Sequence, residues 1–190
     1  MKGKQMTILD QIEMHELVVS QLKKKCAKDI QKICTVCAEA IKSGHKILLC
    51  GNGGSAADSQ HIAAEFVGRF HKERNSLPSI AFTTDTSILT AIGNDYGYDE
   101  VFRRQVEGLG RSSDVLIGIS TSGNSKNVVK ALQFAKEKGL HTIAFTGEKE
   151  SKSSQIAEVT LRVPSSVTAR IQECHILVGH IVCNYVDEMY

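Results

Sequence analysis

The feature that most limits what this chain can fold into is a repeated order of short apolar run, polar loop and amphipathic helix. Five short apolar runs fit buried strands, and segments with helical periodicity separate them. The runs are residues 46–50, 79–82, 114–119, 141–145 and 159–163. Because strands that alternate with helices pair in parallel through right-handed crossovers, the sequence predicts an α/β fold: a five-stranded parallel sheet with helices on both faces.

Helical periodicity also fills both ends of the chain. Residues 7–23 and 26–43 carry apolar side chains at three- and four-residue spacing, which predicts two helices before the first strand. The pattern of residues 167–188 predicts a last helix with apolar side chains on most of its faces. These helices exceed what one sheet needs as cover, so we expect them to pack against other subunits. We expect one domain, with N-terminal helices in 1–43 and an α/β core in 44–190.

Charge and composition exclude several classes of protein. The 190 residues include 23 basic and 21 acidic side chains, and a net charge of +2 is too small for a dedicated nucleic-acid binder. No apolar run reaches the ~18 residues of a membrane-spanning helix. Met1–Gln11 lacks the apolar stretch of a signal peptide. We therefore expect a cytoplasmic protein that binds neither nucleic acid nor membrane.

The six cysteines include one closely spaced pair, Cys34 and Cys37. A Cys-x-x-Cys pair is typical of a redox motif or half of a zinc site. The pair also lies on a helical apolar stripe with Ile30, Ile33 and Ile41, and a free cysteine packs as a small hydrophobic residue. Because no second Cys-x-x-Cys completes a zinc site, the pattern favours core packing.

A glycine-rich loop follows the first predicted strand and opens a helix. It reads Gly51-Asn52-Gly53-Gly54-Ser55. It is not a dinucleotide fingerprint, since an alanine replaces the third glycine, and it has no Gly-Lys pair of a P-loop. Glycines at a helix N-terminus let a ligand approach free N–H groups. A tight strand-to-helix turn needs the same residues, so this loop alone leaves both interpretations open.

A second loop, residues 120–125, holds four hydroxyl side chains between a buried strand and a helix. They are Ser120, Thr121, Ser122 and Ser125. One serine is expected to cap the helix, a role that needs no ligand. Because a cap accounts for only one hydroxyl, the loop favours a phosphate site at a helix N-terminus.

Histidine, carboxylate and amide side chains recur at helical spacing on two segments. His61, Glu65 and Arg69 follow one face of the helix after the glycine-rich loop, and Gln172 and His180 face one side of the last helix. Such groups transfer protons or bind a metal. The alternatives are an exposed His61–Glu65 helix pair and a hydrogen-bonded core histidine at 180. Periodicity cannot decide whether the two helices meet.

These motifs together resemble the phosphoheptose isomerase family of sugar isomerase (SIS) domains. The resemblance covers nearly the whole chain, and the combination is more specific than the Ser-Thr-Ser-Gly-Asn loop alone. The matching segments are 49–55, 61–65 with Gly68 and Arg69, 93–95, 118–125, 163–164 and 170–173 with His180.

The resemblance implies a flavodoxin-like SIS fold and a homotetramer with active sites between subunits. It implies isomerisation of sedoheptulose 7-phosphate to D-glycero-D-manno-heptose 7-phosphate, the first step toward the nucleotide-activated heptose of bacterial surface polysaccharide. The destination of the product, lipopolysaccharide or capsule, stays open. The alternatives are a non-catalytic SIS protein that binds the replication initiator and an isomerase of another sugar phosphate.

The resemblance also assigns roles to residues. Glu65 and His180 are the expected acid–base pair, and one zinc ion per subunit is expected on His61, Glu65, Gln172 and His180. The expected substrate contacts are Asn52, Gly53, Gly54, Ser55, Glu65, Arg69, Asn94, Asp95, Ser120, Thr121, Ser122, Ser125 and Gln172. One position departs from the family: Ala169 stands where many members have aspartate, so Thr168 or water must substitute for that carboxylate.

Overall fold

A computed structural model describes residues 6–190. Residues 1–5, which begin both the predicted unit 1–43 and the segment Met1–Gln11, lie outside the described range. The helices are α1 Ile8–Lys42, α2 Gly54–Val67, α3 Thr86–Tyr96, α4 Arg103–Leu109, α5 Lys126–Glu137, α6 Lys152–Ile156 and α7 Thr168–Asp187. The strands are β1 Ile47–Gly51, β2 Ser79–Ala81, β3 Val115–Ile119, β4 His141–Thr146 and β5 Val159–Arg162.

The five strands form one parallel sheet in the order β2-β1-β3-β4-β5, which confirms the predicted fold class. This is the flavodoxin-like order, in which the chain path reverses direction between β1 and β3. The register pairs Ile47 with Val115 and Gly51 with Ile119, so both strands end at the same edge. Ligands bind at such a switch point in open α/β sheets, and the two polar loops follow these two strands.

Helices cover both faces of the sheet. On one face α1, α2 and α7 share a core with the side chains of Ile47, Leu49 and Ile117. On the other, α4 and α5 pack against Leu48 and Leu116. Alternate residues of β1 and β3 thus face opposite cores, which explains why both strands are apolar throughout. Among residues 6–190, no helix is both long and apolar enough to cross a membrane.

The two predicted N-terminal helices are one, and that prediction was wrong. The helix α1 runs unbroken for 35 residues. The expected break fell at the lysine run 23–25, but lysine is a good helix former and neither glycine nor proline interrupts the segment. Val18, Leu22 and Cys26 continue one buried stripe at four-residue spacing straight through the run. The short helix α6 was also missed by the sequence analysis.

All six cysteines lie in the described range, and all are free and buried. Burial disfavours the thiolate and raises the pKa of Cys34 to about 11 and of Cys50 to about 12. Cys37 is fully buried beside Cys34 in the core of α1, α2 and α7. The prediction that this pair packs as core residues is therefore confirmed.

Candidate functional site

The glycine loop, Gly51–Ser55, turns sharply from β1 into α2. Gly53 has φ +56°, and a Cβ at Gly51 would lie 2.6 Å from the carbonyl oxygen of Ser55. Glycine is required at both positions for conformational and steric reasons. Within the described chain no side chain caps the N-terminus of α2 at Gly53. The amides of Ser55 and Ala56 donate to the carbonyl oxygens of Asn52 and Gly53, which closes the turn, so a ligand would meet the amide of Gly54 first.

The serine loop, Ser120–Ser125, brings three hydroxyls together. Ser120 Oγ lies 2.9 Å from Ser125 Oγ and 3.4 Å from Ser122 Oγ. Ser125 occupies the N-cap position of α5, yet its side chain makes no cap bond within residues 6–190. The expected serine cap was therefore wrong in detail, because the hydroxyl of Ser125 turns toward Ser120 instead. Converging hydroxyls at a helix N-terminus form a neutral site suited to a phosphate.

A cavity of about 310 Å³ opens beside the serine loop. Its wall includes Thr121 and Ser122, Glu148 from the segment after β4, and Thr168 at the start of α7. Thr168, the expected substitute for the family's missing carboxylate at Ala169, thus lies in the same cavity as the serine loop.

Gln172 lies one turn further along α7, and a Cβ at Gly54 would lie 2.5 Å from its Nε2. The loop pair, meaning the glycine loop and the serine loop, is therefore flanked by the start of α7.

A second group of polar side chains, the His–Glu cluster, consists of His61, Glu65 and His180. His61 Nε2 lies 3.0 Å from Glu65 Oε1 and 3.4 Å from His180 Nε2. One ligand atom from each residue lies within 4.8 Å of the others, an arrangement that could hold a metal ion. The structure thus brings together both predicted acid–base residues and three of the four predicted metal ligands in one chain.

Close packing of α2 against α7 creates the His–Glu cluster. A Cβ at Gly179 would lie 2.5 Å from Ile62 Cδ1, so the glycine lets the two helices approach. The neighbouring residues along each helix, His61 and His180, then meet edge to face with ring centres 4.9 Å apart. His61 and Glu65 do form the helix pair of the alternative interpretation, with His61 exposed. His180 is half-buried and contacts His61, so it is not a core histidine.

The loop pair and the cluster lie at different heights along α2 and α7. Gln172 and His180 are eight residues apart, about 12 Å along the helix axis. Gly54 and Glu65 are eleven apart, about 16 Å along α2. Arg69 lies beyond the end of α2, exposed and 3.6 Å from Glu73. One chain therefore holds Gln172 against the glycine loop rather than beside the cluster.

The predicted sugar contacts Asn94 and Asp95 lie at the end of α3. Both are exposed, and Asn94 Nδ2 donates to Asp95 Oδ1 at 2.8 Å. Tyr98, in the following turn, reaches the glycine loop: its hydroxyl lies 3.4 Å from Asn52 Oδ1. The helix α3 carries no fully buried residue in the described structure, although Ile88, Leu89 and Ile92 are apolar.

Sequence reasoning missed Asp58, which lies on α2 between the two groups. Residues 54, 58, 61 and 65 follow one stripe of the helix, a spacing that could have revealed it. Asp58 Oδ2 is buried without a hydrogen-bond partner among the described residues. Burial raises the pKa of Asp58 to about 6, while the nearby His61 lowers it. This carboxyl group therefore changes charge close to neutral pH.

Comparisons with known proteins show the family and the fold. The sequence model of the SIS domain family matches residues 12–147. The phosphoheptose isomerase of Aquifex aeolicus is 60% identical over 163 residues, 86% of this chain and 85% of that one. That of Aliarcobacter butzleri is 51% identical over 180 residues, 95% of each chain. The solved phosphoheptose isomerase of Neisseria gonorrhoeae is 44% identical, with TM-score 0.90 over 95% of this chain and 97% of that one.

Proposed function

The chain belongs to the phosphoheptose isomerase family of SIS domain proteins, and from this premise we propose how its residues divide the work of an aldose–ketose isomerase. The enzyme converts sedoheptulose 7-phosphate to D-glycero-D-manno-heptose 7-phosphate, a step toward activated heptose. The observation that carries the catalytic assignment is the His–Glu cluster. A domain that only binds a sugar phosphate needs the loop pair but no convergent acid–base groups.

The serine loop holds the phosphate, remote from the reacting carbons, and the glycine loop contacts the sugar. The three hydroxyls of the serine loop and the first amides of α5 donate to the phosphate oxygens. Glu65 removes a proton from C1 of the ketose and returns it to C2 through a cis-enediol. His180 moves a proton between O1 and O2 of the sugar, since imidazole both gives and takes protons near neutral pH.

A divalent ion of the zinc class fits the cluster, because two imidazole nitrogens and one carboxylate oxygen are the donors that zinc prefers. His61, Glu65 and His180 of one chain would hold it. Gln172, the predicted fourth ligand, contacts the glycine loop in that chain and would have to come from another subunit. When bound, the ion would polarise the carbonyl oxygen of the sugar. A carboxylate has two oxygens, so Glu65 can ligate with one and accept a proton with the other.

Incubation with sedoheptulose 7-phosphate tests the activity directly. We expect NMR to show the aldose product at the expense of the ketose, without added nucleotide or redox cofactor. Dialysis against a chelator is expected to lower turnover, with recovery on addition of zinc. Protein that leaves this substrate unchanged, yet isomerises a pentose or hexose phosphate, would contradict the substrate assignment.

We further propose a homotetramer in which one chain's loop pair meets the His–Glu cluster of another chain. The axial separation of these two groups in a single chain supports this arrangement, because one heptose phosphate must touch both. Apolar surface supports the assembly: a groove of about 330 Å³ runs between α1 and α7, lined by Ile30, Leu177, Ile181 and Tyr185. Sedimentation is expected to give four chains per particle at micromolar concentration.

Subunit mixing distinguishes a shared site from a site within one chain. Glu65 and His180 lie in the same cluster, so informative partners are Glu65→Gln and the double variant Ser120→Ala/Ser122→Ala. Each variant alone is expected to be impaired. Mixed tetramers should regain part of the activity if the two groups come from different chains. Confirmed mixed tetramers no more active than the separate variants would place the whole site in one chain.

We also propose the cytoplasm as the location of this protein. Six free, buried thiols support the proposal, since reducing compartments keep cysteines unpaired. Fractionation of cells that express the tagged chain tests it, and recovery in the periplasmic fraction would contradict it.

A further inference from the structure

A reciprocal pair of side-chain amides joins the two loops of the site. Asn52 Nδ2 donates to Asn127 Oδ1 at 2.9 Å, and Asn127 Nδ2 donates to Asn52 Oδ1 at 2.9 Å. Asn52 belongs to the glycine loop, and Asn127 lies in the first turn of α5, directly after the serine loop. In the described part of the chain, this pair is the only side-chain hydrogen bonding between the glycine loop and residues 120–127.

Asn127 is itself firmly held. It is 3% exposed, and its Oδ1 also accepts the backbone N–H of Val128 at 2.9 Å. Its orientation therefore follows from the start of α5, which the buried strand β3 anchors to the sheet. Asn127 can transmit that fixed orientation to the glycine loop.

The carboxamide of Asn52 is largely occupied within the protein. Its Oδ1 accepts from Asn127 and lies 3.4 Å from the hydroxyl of Tyr98, which uses both lone pairs of the oxygen. Only one hydrogen of Nδ2 stays free for a ligand. The chief effect of the Asn52 side chain is thus to fix the backbone of a loop whose glycines impose no conformation of their own.

We propose that Asn127 is a positioning residue, which acts through Asn52 to hold the glycine loop in a fixed position relative to the serine loop. A substrate gripped by both loops then meets two preformed surfaces instead of ordering one of them on binding. Tyr98 is a second, weaker support of Asn52. The consequence for substrate binding rests on the proposed isomerase function, while the coupling of the loops does not.

Amide hydrogen exchange in the free protein tests the coupling without any substrate. Asn127→Ala is expected to speed exchange of the hydrogen-bonded amides at 51–55, such as that of Ser55, about 30-fold, the factor for two lost hydrogen bonds of ordinary strength. Gln133→Ala, which removes an exposed amide from the same helix, is the matched control and should leave these amides unchanged. Unchanged exchange at 51–55 in Asn127→Ala would overturn the proposal.

A double-mutant cycle tests whether Asn127 acts through Asn52. Asn52→Ala, Asn127→Ala and the double variant should each raise KM for sedoheptulose 7-phosphate by about tenfold, with kcat within about threefold of wild type. Tyr98→Phe should raise KM by about twofold. Effects that multiply in the double variant would assign Asn127 a separate role and overturn the proposal.

Two further measurements separate a failure of the loop coupling from a failure to fold and from a failure of the proposed function. If Asn127→Ala does not fold, Asn127→Ser puts at position 127 a residue suited to the first turn of a helix, and the same exchange and KM results are expected. A wild-type protein that leaves sedoheptulose 7-phosphate unchanged would refute the proposed function. Faster exchange at 51–55 in that case would still support the loop coupling.

Discussion

The loop pair and the His–Glu cluster are built in different ways. The loop pair lies at the ends of two adjacent buried strands, and its ligand-facing groups are mostly backbone amides and short hydroxyls. The cluster depends on long side chains from two helices whose close approach at this height requires a glycine at 179 against Ile62. The sheet thus positions the proposed binding region almost by itself. The proposed reactive region depends on helix packing that a small change can disturb.

The largest effect is expected from a change in the cluster. Glu65→Gln keeps the size of the side chain but removes the base, and should lower kcat by ~10²–10⁴-fold. Substrate should still bind, because the loop pair is unchanged. Stopped assays with NMR detection measure kcat, and calorimetric titration with sedoheptulose 7-phosphate measures binding.

A matched control for this variant is Glu137→Gln, which alters an exposed carboxylate on α5. It should keep wild-type turnover. A Glu65→Gln enzyme with a third of the wild-type rate would remove Glu65 from the reaction and leave the cluster a structural feature.

Acid should weaken the region beneath the loop pair. His175 is buried in α7, and its Nε2 lies 3.2 Å from the carbonyl oxygen of Thr146 at the end of β4. Burial lowers the pKa of His175 to about 4 from 6.5, so the folded state keeps it neutral. Below pH 6.5 the unfolded state takes up a proton that the folded state does not. The free energy of unfolding is therefore highest above pH 6.5 and falls by about 3 kcal/mol as the pH drops to 4.

Thermal unfolding from pH 7 to pH 4 tests this dependence. His175→Gln is neutral at every pH, so its melting temperature should fall less over this range than that of wild type. Parallel curves for the two proteins would show that His175 does not set the acid limit.

The loop pair should affect binding more than turnover. Ser120→Ala combined with Ser122→Ala removes two of the converging hydroxyls and should raise KM by about 10–100-fold, since each lost hydrogen bond costs a net of about 0.5–1.5 kcal/mol. We expect kcat to stay within about threefold, because the phosphate is remote from the proton transfer. Ser112→Ala, at the opposite edge of the sheet, is the control. A collapse of kcat at constant KM would contradict the assigned division of work.

The smallest effect is expected at Asp58, which lies between the two regions. Its folded-state pKa is raised to about 6 from 3.8, so its contribution to stability is present below pH 3.8 and is lost as the pH rises through 6. After discounting for its partial exposure, Asp58→Asn should stabilise the metal-free protein by about 1 kcal/mol at pH 7.5 and not at all at pH 3.5.

Chemical denaturation of chelator-treated protein measures this difference. Asp85→Asn is the control, since asparagine caps α3 as well as aspartate does. A gain of equal size at both pH values would show that the buried charge of Asp58 is not its cause.

The same contrast explains what could be predicted from the sequence. The strands and the two loops depend on local patterns: apolar runs such as 115–119 and the glycine and serine runs that follow them are visible within ten residues. The residues of each strand and loop lie close together along the chain, so short-range rules predict them. The single helix α1 was missed only because the lysine run interrupts the apparent pattern, although the buried stripe continues from Leu22 to Cys26.

The cluster could not be derived in this way. His61 and His180 are 119 residues apart, and their contact depends on the fit of Ile62 against Gly179. Helical spacing shows which residues share a face, but not which faces meet. The resemblance to the family supplied that pairing, while the orphan oxygen of Asp58 and the bond from Asn127 to Asn52 required the packed structure.

The six buried thiols give this protein a practical property. Since burial raises the pKa of Cys174 to about 11 and of Cys183 to about 12, almost none of their sulfur is thiolate at neutral pH, and maleimide reagents react with thiolate. The six native cysteines of the folded enzyme therefore react very slowly with maleimides. A cysteine introduced on exposed α3 or at the N-terminal end of α1 would carry the only fluorophore of its chain. Energy transfer between two differently labelled samples would then test the proposed tetramer by following subunit exchange in real time.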